Sequence, residues 1–404
     1  HASGAWMEEF GAWYFDLARR WDGTFVHQGP PGLRKDKYAG WDCTGAYLLS
    51  YAAPLGTIYL TGKAPAFVPE FDSATAAQTI ADGRGWNNKD RQSAYDALGT
   101  GQLLARLESW SPVVRERAAM ALGRRKDDVT EQLVALLDAP ALDSRYGACQ
   151  ALKQQRARAA GAVDTLRKAF QAKDLWLRVL AADALAGIGD PARVAIPDLL
   201  ERLTQSDPEN DPRNMEQRYL SFALFNQRGG LLSRSLEGVD GELLFEAVRA
   251  GLQNEDGRAR GSYASVYRNL EYDQLKPLLP AIHRAIAEPA PSGIMFADGI
   301  RMSGLQLFAE HQVSEGIELL ADYARNQKKH GSQKRIVQVM KLLEMYGAHA
   351  QRVIPNLQET ADYFENREEG FPKKLSREKA KVVREAIAAI SQSDELPKLQ
   401  TLNL

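Results

Sequence analysis

From about residue 100 onward the apolar positions recur at intervals of three, four and seven, and one element carries most of the pattern. An Arg is followed at plus three and plus four by small or apolar residues and at plus seven by a large apolar one. Arg115 leads to Ala118, Ala119 and Leu122; Arg145 to Ala148, Cys149 and Leu152; Arg178 to Ala181, Ala182 and Leu185. Looser copies begin at Arg218 (Ser221, Phe222, Phe225), Arg260 (Tyr263, Ala264, Tyr267), Arg301 (Gly304, Leu305, Phe308) and Arg335 (Gln338, Val339, Leu342). Offsets of three, four and seven share one face of an α-helix, so each segment predicts a helix with one buried side. Small residues in the middle of that face let a neighbouring helix come close.

The leading arginines stand 30, 33, 40, 42, 41 and 34 residues apart, about one two-helix unit each time. Between them the pattern predicts second amphipathic helices over 129–138, 162–171, 196–204, 242–252, 278–286, 317–326 and 354–364. Pro197, Pro280 and Pro355 stand near the starts of three of these, where a missing N–H costs nothing. A hairpin with one apolar face cannot hide it alone. The units are therefore expected to stack into a curved, right-handed, all-α solenoid with insertions at 206–214 and 233–241.

This region resembles the HEAT and HEAT-like repeats, most closely in Ser111-Pro112-Val113-Val114-Arg115-Glu116-Arg117-Ala118-Ala119 and Asp174-Leu175-Trp176-Leu177-Arg178. The resemblance implies an alpha-alpha superhelix whose inner helices line a surface that binds other macromolecules. It also implies that the leading Arg ties consecutive units together by hydrogen bonds; the other reading is a ladder of cations for an anionic ligand. Function does not follow from the fold alone.

Residues 1–60 are different: they hold twelve of the 34 aromatics in the chain. Trp6, Phe10, Trp13, Tyr14 and Leu17 follow helical spacing, Trp21-Asp22-Gly23-Thr24-Phe25 reads as a turn, and a second helix is expected from Asp42 or Thr44 to Ala53. The stretches Tyr14 to Phe25 and Gly40 to Leu49 resemble the closing helical hairpins of an alpha-alpha toroid of the terpene-cyclase and prenyltransferase type, set before a repeat array as in an uncharacterised bacterial family. A complete ring needs about twelve helices, so either these helices cap the first unit of the solenoid or the chain is the C-terminal part of a larger protein. A cap should have a polar outer face, and Trp6, Trp13, Tyr14 and Trp41 leave little, which favours the second reading. The start at His1 likewise suggests processing or truncation. The expected organisation is an aromatic-rich segment at 1–63, a linker with a connecting helix at 64–99 that turns helical near Ser73, the array at 100–392 and a tail at 393–404.

Composition narrows the chemistry. With 51 basic against 52 acidic side chains, the net charge of −1 argues against a general nucleic-acid binder, and two cysteines exclude a disulfide scaffold. The uncharged stretch 43–62 contains Pro54 and three glycines, so a buried helix and turn are expected there and no membrane insertion. Gly56 to Lys63 fails as a phosphate loop, because five residues separate the glycines and Ala64 stands where Ser or Thr would bind magnesium. The common hydrolase and dinucleotide motifs are missing as well.

Two constellations remain. Asp42, Cys43 and His27 could bind zinc, but adjacent side chains on a helix point about 100° apart, so a helix start with a buried thiol is the plainer reading and no cofactor is expected. Trp6, Trp13, Trp21, His27 and Trp41, with Asp22 and Asp42 as carboxylates, could line a cleft for a sugar, whose C–H faces stack on aromatic rings. The plainer reading is a ring interior filled with tryptophan. The basic run 326–343 with Lys328, Lys329, Lys334, Arg335 and Lys341 reads as a solvated face. The sequence thus points to a soluble, non-catalytic binding or scaffold protein whose partner is another protein or the missing part of its own precursor. A carbohydrate-active enzyme with its site in the toroid-like segment is the alternative.

Overall fold

The computed structural model describes residues 72–83, 94–291, 296–327, 329 and 331–402. The chain divides into two compact units, 1–99 and 100–404. In the first, α1 (Ser73–Gly83) begins where the sequence turns helical, and the Asp72 carboxylate accepts the Thr75 N–H at 2.7 Å at its start. Tyr95 is buried and donates its hydroxyl to the Asp82 carbonyl at 3.0 Å.

The second unit is an α-solenoid. It opens with α2 (Thr100–Arg106) and continues in hairpins: α3 (Pro112–Arg124) with α4 (Thr130–Leu137), α5 (Leu142–Gln155) with α6 (Val163–Phe170), α7 (Leu175–Ile188) with α8 (Ile196–Thr204), and α9 (Met215–Phe225) with α10 (Gly241–Gly251). The fifth first helix is broken into α11 (Gly257–Ser262) and α12 (Ala264–Asn269) and is followed by α13 (Tyr272–Leu275) and α14 (Leu279–Ala287). Then come α15 (Asp298–Glu310) with α16 (Gly316–Asn326), α17 (Ser332–Glu344) with α18 (Ile354–Asp362), and the closing α19 (Lys373–Ser391). First helices pack on first helices along the array, α3 on α5, α5 on α7 and α7 on α9, while α8 packs on α10 and α16 on α18.

The core follows the spacing. Ala118, Ala119, Leu122, Ala148, Cys149, Leu152, Ala181, Ala182 and Leu185 are all buried, and Leu133, Leu166, Leu199 and Leu203 meet them from the second helices. Burial pushes the Cys149 thiol up to about 12, so it behaves as a small apolar side chain. Close approach is enforced by glycine: a Cβ on Gly147 would stand 2.1 Å from the Leu107 carbonyl oxygen. Pro197, Pro280 and Pro355 fall in the first turns of α8, α14 and α18, as the missing N–H allows.

Two features depart from the simple pattern. At plus four, the slot filled by Ala119, Cys149 and Ala182 in earlier repeats, Phe222 is only half-buried, because a phenyl is too large for so close a helix contact. The segment after α19 runs back along the hairpin turns. The Ala348 N–H donates to the Glu395 carbonyl at 2.8 Å, the Gln400 N–H to the Gln312 carbonyl at 2.9 Å, and the Ser314 N–H to the Gln400 carbonyl at 2.8 Å. Val313 and Gln400 form a parallel β-bridge, and no other bridge or strand occurs among the described residues.

Candidate functional site

The leading arginines are occupied by the protein itself. Each guanidinium closes the end of the preceding helix or reaches a neighbouring unit. Arg115 donates to the Ser109 carbonyl at 2.5 Å and to Asp143 at 2.6 Å on the next first helix. Arg145 donates to the Ala139 and Pro140 carbonyls, and Arg260 to those of Asn254, Gln253 and Glu288. Arg301 donates to the Ile286 carbonyl, and Arg335 pairs with Asp298 at 3.1 Å. The strongest link is between the third and fourth repeats. Arg178 holds Glu216 bidentately at 2.6 and 2.8 Å and also donates to the Ala172 and Lys173 carbonyls. Arg202 adds a third bond to Glu216 at 2.8 Å. Burial pushes the Glu216 carboxyl up, but the hydrogen bonds from Arg178 and Arg202 outweigh it and hold the group below its ordinary range. These arginines tie units together and leave no ladder for an external anion.

What the first helices do offer is a row of aromatic and apolar groups near their N-terminal ends. Trp110, Val113, Leu142, Trp176 and Phe296 are exposed there, Trp176 at 46% and Phe296 at 47%. The rings touch in sequence: Trp176 meets Tyr219 edge-on at 5.9 Å, and Tyr219 meets Phe222 at 6.2 Å. The Arg218 guanidinium lies 5.4 Å from the Tyr219 ring centre and 5.9 Å from that of Phe222, held by an ion pair to Asp256 at 2.8 Å. Arg258 lies 5.3 Å from the Phe296 ring centre and pairs with the same Asp256 at 2.9 Å. Isolated exposed rings are ordinary; three rings in contact, with Arg218 stacked on two of them and Phe296 joined to them through Arg258 and the shared Asp256, set this stretch apart.

Beside this row, toward the C-terminal ends of α5, α7 and α9, lies a cavity of about 460 Å³. Lys153, Arg156, Asp183, Gly187, Phe222 and Arg228 are among its walls. A second cavity, of about 420 Å³, shares Phe222, Asn226 and Arg228 with the first and extends to Arg258. The two form one groove across four repeats. Lys153 and Asp183 neutralise each other at 2.6 Å.

The sequence-predicted site residues Trp6, Trp13, Trp21, Asp22, His27, Trp41, Asp42 and Cys43 lie outside the described residues, as do Lys328 and His330. Among the described residues no group of three or more His, Cys, Asp or Glu could hold a metal ion. His311 stacks on Tyr272 at 4.5 Å, and the His349 ring lies 2.9 Å from the Pro397 carbonyl oxygen, both ordinary packing roles. In the basic stretch, Lys329 donates to the Glu369 carbonyl. Lys379 is buried against Glu368 at 2.5 Å. No helix among the described residues is long and apolar enough to cross a membrane. Sequence reasoning missed the groove; the signal was Phe222, a large ring at a position that is small in the first three repeats.

Residues 1–62 match a family described as a domain of unknown function (DUF6288), and residues 130–215 match the HEAT repeats. No curated protein matches the chain. Among solved structures, the crystal structure of an engineered protein from the Northeast Structural Genomics Consortium is 18% identical. It aligns over 78% of this chain and 92% of its own, with a TM-score of 0.26. The repeat match runs from α4, the second helix of the first hairpin, through the second and third hairpins to the start of the fourth, and the spacing, buried faces and stacking of that stretch continue through the later hairpins of the α-solenoid.

Proposed function

We propose that the chain is a non-catalytic binding or scaffold protein and that it engages a protein partner along the aromatic row and groove of its first helices. HEAT repeats support a binding or scaffold role in general, and the observation that carries the specific reading is the set of touching rings Trp176, Tyr219 and Phe222 with Arg218 stacked on it, joined through Asp256 to Arg258 on the Phe296 ring. Aromatic and arginine side chains contribute most where water is excluded from them, as under a docked segment. The partner is a separate protein or an upstream part of the same precursor. Residues 1–63 then belong to a toroid-like domain. The tryptophans and carboxylates of that segment carry a second proposal, a carbohydrate site completed by residues beyond this chain, motivated by its density of aromatics.

A peptide library displayed on phage and panned against the full chain tests the main reading, with hydrogen exchange mapping the recovered binders. Enriched peptides should protect α7 and α9, and a W176A/F222S variant should lose them. Failure to enrich, or protection elsewhere in the array, would overturn the reading. A glycan array probed in parallel addresses the second proposal; hits abolished by D22N or D42N would favour it.

A further inference from the structure

Arg156 is in the wrong backbone for an arginine. It ends α5 at φ 55°, ψ −141°, a region that only glycine occupies without strain. The residue that ends α7 in the next repeat has nearly the same geometry, φ 82° and ψ −136°, and there it is Gly189. Gly347, at φ 55°, opens the corresponding 3-10 turn of the seventh repeat. An Arg in this slot destabilises the fold, and among the described residues its side chain finds nothing that offsets the cost. The Arg156 guanidinium makes no hydrogen bond or ion pair with the described residues, whereas Arg158, two positions on, donates to the Arg125 and Gly123 carbonyls. Across the cavity the Arg228 guanidinium likewise has no ion-pair partner among the described residues, and an Asn226 side chain that accepts the Arg228 N–H at 3.0 Å fixes the turn that carries it. Two uncompensated guanidiniums thus face one cavity, one of them on strained backbone, with the half-buried Phe222 between the two halves of the groove.

Resting on the binding role proposed above, we infer that this groove anchors an acidic peptide segment of the partner, its carboxylates pairing with Arg156 and Arg228 and a neighbouring apolar side chain lying on Phe222. A short acidic segment fits better than the dense charge of a nucleic-acid backbone, because Asp183 already neutralises Lys153 and Asp256 already holds Arg218 and Arg258, which leaves the two guanidiniums as a sparse cationic pair rather than a continuous basic track. Arginine forks match planar carboxylates bidentately. The length is set by the scaffold. Four stacked first helices at about 8–10 Å spacing span roughly 30 Å, which an extended peptide covers in about nine residues.

Fluorescence anisotropy on the full chain tests this with labelled nonapeptides in which Glu alternates with Leu, Phe or Ser, their Gln counterparts, and a uridine nonamer. The Glu peptides with Leu or Phe should bind, weaken as salt rises, and lose at least tenfold in affinity in R156G and in R228Q but not in R284Q, an exposed arginine on α14. R156G should also melt at a higher temperature than the parent, so its lost binding cannot be put down to misfolding. Equal binding of the Gln peptides, unchanged affinity in R156G and R228Q, preference for the uridine nonamer, or no binding by any nonapeptide would overturn the inference. If library-selected binders of α7 and α9 are lost in W176A/F222S yet indifferent to R156G and R228Q, the partner surface stands and only its acidic character fails.

Discussion

Arg178 and Glu216 show how much of the array depends on single charged groups. The pair is buried and bidentate, and Arg178 also closes the end of the helix before it through two carbonyls. Replacing Arg178 by Ala leaves those carbonyls open and Glu216 with Arg202 alone, a loss of about 3–5 kcal/mol, since an uncompensated buried charge costs more than the pair contributes. Urea unfolding followed by helical circular dichroism should show it; a loss near zero would mean that Arg202 suffices. The same site sets an acid limit. The folded carboxyls of Glu216 and Asp256 are depressed: burial raises both, and hydrogen bonds from Arg178 and Arg202 to the one and from Arg258 to the other more than reverse it. A depressed folded pKa adds stability that is complete above the unfolded value and disappears as pH falls through the folded one. The unfolding midpoint should therefore decline below the ordinary carboxyl range. In E216Q the acid decline should be shallower from a lower starting point; an identical slope would assign it to other carboxyls.

At the scale of the helices, spacing was a nearly sufficient guide. The second helices begin and end within two residues of the ranges that periodicity predicts, for instance α8 at Ile196–Thr204, because an amphipathic stripe and an early Pro define both the face and the start. Periodicity could not see what depends on the next unit. It assigned Phe222 to the buried face of α9 with Ser221, and only the stacked neighbour decides that Ser221 goes in, against the Tyr263 hydroxyl at 2.7 Å, while the ring turns out into the groove. Nor does an Arg at the end of α5 announce a left-handed backbone. Close contacts between helices are readable only in part: Gly147 follows the leading Arg145 like any small residue, yet it meets the Leu107 carbonyl. Gly147→Ala should cost about 2 kcal/mol or more, because backbone cannot move aside as a side chain tip can. Gly101→Ala in α2, where a Cβ meets nothing within 4 Å, should be neutral or stabilising by up to about 1 kcal/mol. Equal melting temperatures for the two variants would show that α5 and α2 can separate at little cost.

A repeat array holds together through nearest neighbours, so its ends are its weak points, and the residues after α19 bear on one of them. Rather than leaving the array, they return across two hairpin turns, bonded at Ala348, Gln312 and Ser314, and the Leu402 N–H reaches the Glu315 carboxylate at 3.0 Å. The contact is fitted at Gly347, where a Cβ would stand 2.3 Å from the Glu395 carbonyl oxygen. Ending the chain after Gln392 would expose the N–H groups of Ser314 and Ala348 and uncover Val313 and Tyr346, both fully buried. Because coupling runs only from unit to unit, the damage should be local. Amide exchange in the shortened protein is expected to quicken at 312–316 and 346–350 and to remain at parent rates in α3, α5 and α7. Uniform acceleration across all the hairpins would instead mean that the array unfolds as one block, with its segments coupled well beyond their immediate neighbours.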